Sequence, residues 1–201
     1  LQSLPPSKNI WVGFSGGLDS TVLLHVLKNQ ATDNQHLRAI HVHHGLQSQA
    51  DDWANHCQSL CQQWQIPLNI VHVNINNKDR NTEHKAREAR FKAFREILAA
   101  GDTLALAHHQ DDVAETLLLR LLRGSGTRAL ANMQMLGQRD QYHIWRPLLQ
   151  TTRAELEHYA EQHKLPWIDD GSNSDTRFDR NFIRHEILPR LEQRFPNAKQ
   201  G

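Results

Sequence analysis

The stretch Ile10-Trp11-Val12-Gly13-Phe14-Ser15-Gly16-Gly17-Leu18-Asp19-Ser20-Thr21-Val22-Leu23-Leu24 joins a short apolar run to a segment of helical periodicity through two adjacent glycines. The run at 10–14 has the length and β-rich composition of a buried strand, and Leu18, Val22, Leu23, Val26 and Leu27 recur at helical spacing. Between them, Gly16 and Gly17 permit a tight turn and close backbone approach, while the helix start offers unpaired N–H groups and a positive dipole end. This predicts a strand, a phosphate-binding loop and a helix. The loop is neither a Walker A loop, because no Lys follows the second glycine, nor a G-x-G-x-x-G dinucleotide turn. A plain helix start capped by Ser15 or Asp19 is the alternative.

Outward from this stretch the alternation repeats. Apolar runs at 37–42, 68–73 and 103–107 precede helical periodicity at 50–64, 82–99 and 111–122, which Pro67, Gly101 and Gly124 close. A fifth run at 142–145 leads through Arg146-Pro147 to a helix at 152–163. The pattern predicts an α/β fold, a Rossmann-like open parallel five-stranded sheet flanked by helices, with a C-terminal helical segment. Residues 1–164 form the expected first domain. From Leu165 the texture changes, so residues 165–201 read as a loop and an arginine-spaced helix at about 178–195, leading towards further domains.

The charge balance excludes a large basic field: 23 Lys and Arg face 22 Asp and Glu in 201 residues, a formal charge of +1. Any nucleic-acid surface must be local. Lys78, Arg80, Lys85, Arg87, Arg90, Lys92 and Arg95 outnumber Asp79, Glu83 and Glu88 along one segment. Such a run is commonly a solvated helix face, and phosphate contacts are the competing use. Two cysteines, Cys57 and Cys61, are one helical turn apart and too few for a disulfide scaffold. They read as small buried hydrophobes in a reducing, cytoplasmic setting. With no apolar run of the ~20 residues a membrane span needs, no membrane partner is expected.

In open parallel sheets, ligands sit beyond the carboxyl ends of the strands. Two further strand ends carry chemistry. His41-Val42-His43-His44-Gly45-Leu46 places imidazoles at the second, where they can hydrogen-bond a base or phosphate or face solvent. Ala107-His108-His109-Gln110-Asp111-Asp112-Val113-Ala114-Glu115 follows the fourth. Its carboxylates suit Mg²⁺ and acid/base work, and equally suit a helix N-terminus with no function at all.

Ser15-Gly16-Gly17-Leu18-Asp19-Ser20 resembles the PP-loop of ATP pyrophosphatases. The ordered set, with His41-Val42-His43-His44-Gly45-Leu46, the Lys85-Ala86-Arg87-Glu88-Ala89-Arg90-Phe91 helix and Ala107-His108-His109-Gln110-Asp111-Asp112, resembles the bacterial tRNA(Ile)-lysidine synthetase branch of those enzymes. Arg123-Gly124-Ser125-Gly126, Arg146-Pro147-Leu148-Leu149 and Arg180-Asn181-Phe182-Ile183-Arg184 continue the likeness, from about residue 10 to 196. Ala107, Val113, Gln47 and Gly171 depart from the usual residues of the branch, and Gln47 weakens any phosphate contact there.

The resemblance implies ligation of L-lysine to C2 of the wobble cytidine of tRNA(Ile) with a CAU anticodon, through adenylation by ATP. It implies ATP contacts from Ser15, Gly16, Gly17, Leu18, Asp19, Ser20, His41 and His44, and a catalytic set of Asp19, Asp111, Asp112, His108 and Arg87. Asp19 and Asp111 would hold Mg²⁺; Glu115, Arg123, Arg180, Asn181 and Arg184 would meet lysine or tRNA. A homodimer is compatible with this reading. A tRNA thiolase of the same loop family and a non-catalytic nucleotide-binding module are the alternatives; a metal phosphohydrolase built on the His-Asp pair would be expected in an all-helical setting.

Overall fold

The computed structural model describes residues 7, 9–30, 36–45, 49–73, 82–124 and 134–196. Among these, six strands form one sheet: β1 (Asn9–Gly13), β2 (His36–His43), β3 (Leu68–His72), β4 (Thr103–Ala105), β5 (Leu136–Arg139) and β6 (Tyr142–Trp145). Their order is β3-β2-β1-β4-β6-β5; β1 pairs in parallel with β2 and β4, β3 with β2, and β6 with β4. The sixth strand is a departure from the expected five. β5 runs antiparallel to β6 through a tight turn in which Asp140 takes φ 51°. Its sequence, Leu-Gly-Gln-Arg, has no apolar alternation because an edge strand over solvent needs none.

The helices are α1 (Leu18–Gln30), α2 (Ala50–Trp64), α3 (Thr82–Ile97), α4 (Gln110–Leu122), α5 (Arg153–Gln162), α6 (Asp179–Phe182) and α7 (Leu188–Arg194). Strand alternation sorts them into two layers. Ile10, Val12 and Phe14 pack with Leu23, Leu24 and Leu27 of α1, Cys57 and Leu60 of α2, and Leu156 and Ala160 of α5. Trp11 faces the other way, with Phe91 and Phe94 of α3 and with Tyr142 and Ile144. Fully burying each large side chain contributes about 1.5–3 kcal/mol. The buried carboxylate of Asp102 ties this second layer to the sheet, accepting from Trp11 Nε1 at 3.0 Å, Asn9 Nδ2 at 2.8 Å and the Ala99 amide at 3.0 Å.

The helix expected at 178–195 is interrupted. A π-helical turn, Ile183–Ile187, separates α6 from α7. Pro189 has no N–H to give the carbonyl four residues back, which favours a widened turn ahead of it. Ile183 and Leu188 pack on Ala114 of α4. Nearer the loop, the Ile168 amide donates to Gly16 O at 2.9 Å, and Gly17 and Ile168 form a parallel bridge. The segment after 165 therefore closes against the phosphate loop. The chain steps outward from β1 through β2 to β3 and then crosses back to β4 on the other side of β1, so the cleft at the carboxyl ends of β1 and β4 is the topological switch point where ligands bind.

Candidate active site

A cleft of about 640 Å³ opens there, walled by the loop after β1, the ends of β2 and β4, α3, and the segment 167–184. The loop is built by its own hydroxyls. Ser20 Oγ donates to Gly17 O at 3.0 Å and accepts from the Ser15 amide at 3.2 Å, and the two serine hydroxyls meet at 3.0 Å. Thr21 Oγ1 donates to Gly16 O at 3.3 Å. Gly16 has φ +84°, and a Cβ there would lie 2.8 Å from Ile168 Cδ1 and 2.9 Å from Cys57 Sγ. Only glycine fits both the backbone and the space. Ser15, Gly17, Leu18, Asp19 and Ser20 line the cleft, and Gly16 shapes the turn behind them.

At the end of β2, the His41 ring is buried and its Nδ1–H donates to Phe14 O at 2.9 Å. Burial lowers its pKa despite that bond. His44 also lines the cleft; burial lowers it to about 4, and its Nδ1 has no hydrogen-bond partner. Both are neutral acceptors or donors at neutral pH. His43 lines the cleft as well, with its Nε2 2.9 Å from Asp51 Oδ1.

At the end of β4, His109 is the hub. Its Nε2 lies 3.7 Å from Asp19 Oδ2 and 3.6 Å from Asp112 Oδ2, and its Nδ1 lies 3.5 Å from Asp111 Oδ2. Burial opposes its charge, but the three carboxylates outweigh it and hold the imidazole above its ordinary value. Burial likewise pushes Asp19 up, against the pull of His109 and Arg153. Asp112 stays below the usual carboxylate value: burial works against its charge, and His109, Arg180 and His108 prevail. His108 lines the cleft with its Nδ1 unpartnered, and burial lowers it to about 4.

Asp112 Oδ1 accepts from Arg180 Nη2 at 2.7 Å. Below it, Glu115 is fully buried and receives Arg180 Nε at 2.6 Å and Arg184 Nε at 2.5 Å. Asn181 donates to Ser172 O at 2.8 Å and Asp175 O at 3.0 Å, pinning the 172–175 loop that forms one rim. Arg87 lines the α3 wall, its guanidinium 5.1 Å from the Phe91 ring centroid. Asp111 and Glu115 sit behind the cleft surface. Arg123 lies outside it, exposed and paired with Asp179 at 2.8 Å. Ser125, Gly126, Arg128, Lys78, Arg80 and Gln47 lie outside the described residues.

Arg153 belongs to the site although sequence reasoning passed over it. Its Nη1 lies 3.0 Å and 3.2 Å from the two Asp19 carboxylate oxygens, and its amide donates to Asp111 Oδ2 at 2.9 Å. A signal was present: Thr152-x-x-Glu155 is a capping box, so a cation follows at the first helical position, where the dipole disfavours it. Trp53, Trp167 and Phe178 also line the cleft unforeseen. Among the described residues no three His, Cys, Asp or Glu side chains converge as a metal cage. Asp19 and Asp112 both line the cleft, which meets the one or two carboxylates that Mg²⁺ takes beside waters and phosphate oxygens, and Arg153 and Arg180 pair with them in this structure.

The PP-loop domain family matches residues 1–191. The chain is 49% identical to the tRNA(Ile)-lysidine synthase of Serratia proteamaculans over 98% of its length, and 50% identical to that of Pseudomonas putida over 95%. It spans a little under half the length of these curated relatives, 45% in both cases. In structure it is similar to the U34-tRNA thiolase NcsA from Methanococcus maripaludis, solved with its 4Fe–4S cluster, at TM-score 0.78 and 22% identity, covering 96% of this chain and 68% of the other. That likeness establishes the fold.

Proposed function

The chain belongs to the PP-loop domain family, and from this we propose that the protein ligates L-lysine to the wobble cytidine of tRNA(Ile) with a CAU anticodon, consuming ATP. The observation that carries the proposal is the near-complete coverage of this chain by lysidine synthases at about half identity, in a chain whose PP-loop and Asp112 share one cleft. ATP sits with its phosphates on Ser15, Gly16, Gly17, Leu18 and Ser20 and its nucleoside towards His41 and His44. The cytidine O2 attacks the α-phosphorus, the bond to the bridging β-oxygen breaks, and pyrophosphate leaves with that electron pair. The lysine amine then attacks C2, and AMP leaves with the C2–O electron pair.

The residues divide this work by their environments. Asp112, held ionised, attracts the lysine ammonium, with Glu115 and Arg184 fixing its position from below. The amine must shed a proton to attack; His108, lowered to about 4, is too weak a base to hold that proton, which passes to solvent, and the neutral ring offers the substrate a hydrogen bond instead. Asp19 with Asp112 would hold Mg²⁺, which supplies charge neutralisation at the phosphates; Asp111 anchors α5 instead, through the Arg153 amide. To Arg87, Arg180, Asn181 and Arg123 this reading assigns contacts with the tRNA.

A thiolase is the competing activity. It needs reactive sulfur, and burial pushes both Cys57 and Cys61 up to about 12. A substrate in the tRNA pool suits a cytoplasmic protein. The deciding experiment supplies the intact protein with ATP, Mg²⁺, labelled lysine and a CAU tRNA transcript. Label should enter the tRNA. Pyrophosphate release with no lysine incorporated would move the protein to another tRNA-modifying branch.

A further inference from the structure

The phosphate loop has an electrostatic deficit. Residues 15–21 contain one carboxylate, Asp19, and no Lys or Arg, although the proposed leaving group is pyrophosphate. Backbone N–H groups offset part of that charge, and a cation in contact with the β and γ phosphates is the usual complement.

The cleft wall supplies several guanidinium groups, and their positions differ. Arg180 and Arg184 are engaged by Asp112 and Glu115. Arg87 and Arg90 stand on α3, in the layer on the opposite face of the sheet from α1 and α5. Arg153 is the one tied to the loop's own carboxylate, with Nη1 3.0 Å from Asp19 Oδ1 and Nε 2.9 Å from Glu157 Oε1. Those two carboxylates fix the direction of the guanidinium while 42% of the side chain stays exposed in the cleft. The first turn of a helix is an unfavourable place for a cation, and the pairs with Asp19 and, one turn on, Glu157 offset that cost.

We propose that Arg153 binds the β,γ-phosphate end of ATP and the departing pyrophosphate, providing from α5 the cation that the phosphate loop lacks. The inference rests on the ATP-splitting reading. Asp19 pre-orients the guanidinium. As the bond between the α-phosphorus and the bridging oxygen breaks, that oxygen takes the electron pair, and Arg153 meets the growing charge with planar, paired donors. The anchoring of α5 does not depend on this side chain: the bond to Asp111 uses the backbone N–H, and Thr152 caps the helix by accepting the Glu155 amide at 3.2 Å.

Titration calorimetry with inorganic pyrophosphate, ATP and AMP, all with Mg²⁺, tests this on the intact protein and on Arg153→Ala and Arg153→Lys. Arg153→Ala should weaken pyrophosphate and ATP by roughly ten- to a hundredfold, the worth of a charged hydrogen bond, while AMP changes less than about twofold. Arg153→Lys should recover part of the loss, as a point charge without the fork. Unchanged pyrophosphate affinity in Arg153→Ala, or an equal loss for AMP, overturns the inference; if that variant does not fold, Arg153→Gln bears the same comparison. A parent protein that binds ATP while Arg153→Ala binds it equally well defeats the inference alone. A parent that binds none of the three ligands defeats the ATP-splitting reading as well.

Discussion

The two sides of the cleft are built on opposite plans. The phosphate loop is local: residues 14–21 supply its turn, its hydroxyl braces and its helix start, and its underside is apolar sheet and the Cys57 thiol. The charged side is assembled from distant chain. Asp112 and Glu115 come from α4, while Arg180 and Arg184 come from the segment around the π-helical turn, some 65 to 69 residues later. The first surface presents backbone to an anion at little electrostatic cost. The second holds buried charges that survive only because each is answered by another.

The comparison breaks most visibly at Glu115. Glu115→Gln leaves two guanidinium groups over a fully buried neutral side chain, and losing one partner of a buried pair costs about 3–5 kcal/mol. Urea unfolding should show that loss. On the other side, Gly16→Ala combines a left-handed φ with two contacts under 3.0 Å, so a loss of about 2–4 kcal/mol is expected, with weakened ATP binding.

Smaller effects sharpen the contrast. Burial raises the Cys57 thiol, so the neutral form is favoured in the fold; that stabilisation is complete below the ordinary thiol pKa of 9.0 and is lost as pH climbs towards about 12. Melting temperature should fall above pH 9, and fall less in Cys57→Ala, whose baseline will be lower for lost packing. Arg123→Ala should change unfolding free energy by no more than about 1 kcal/mol, because both it and Asp179 are about two-thirds exposed. A larger change would mean that the charged network extends to this rim.

How much was legible in the sequence follows the same division. The glycine pair, the apolar run at 10–14 and the Asp111-Asp112 helix start are local patterns, and the structure reproduces the strand, turn and helix they specify. β5 went unread because an exposed edge strand carries no apolar signature, and the continuous helix expected at 178–195 is interrupted at Ile183–Ile187, ahead of Pro189. Arg153 was hidden for another reason. Its partner Asp19 is 134 residues away, and a short helix start reveals a misplaced cation only once the capping box is recognised. The acidic cluster was found, yet its division of labour was not, since spacing cannot say that Asp111 turns to the α5 amide while Asp112 turns to Arg180.

The central claim is that this cleft splits ATP between its α and β phosphates on behalf of a tRNA base. Incubating the intact protein with CAU tRNA, Mg²⁺ and ATP labelled in parallel at the α or the γ phosphate, in the absence of lysine, tests it directly. The account predicts that α-label becomes attached to tRNA and that γ-label appears as pyrophosphate. Release of γ-label as orthophosphate with ADP, and no label on the tRNA, would contradict it.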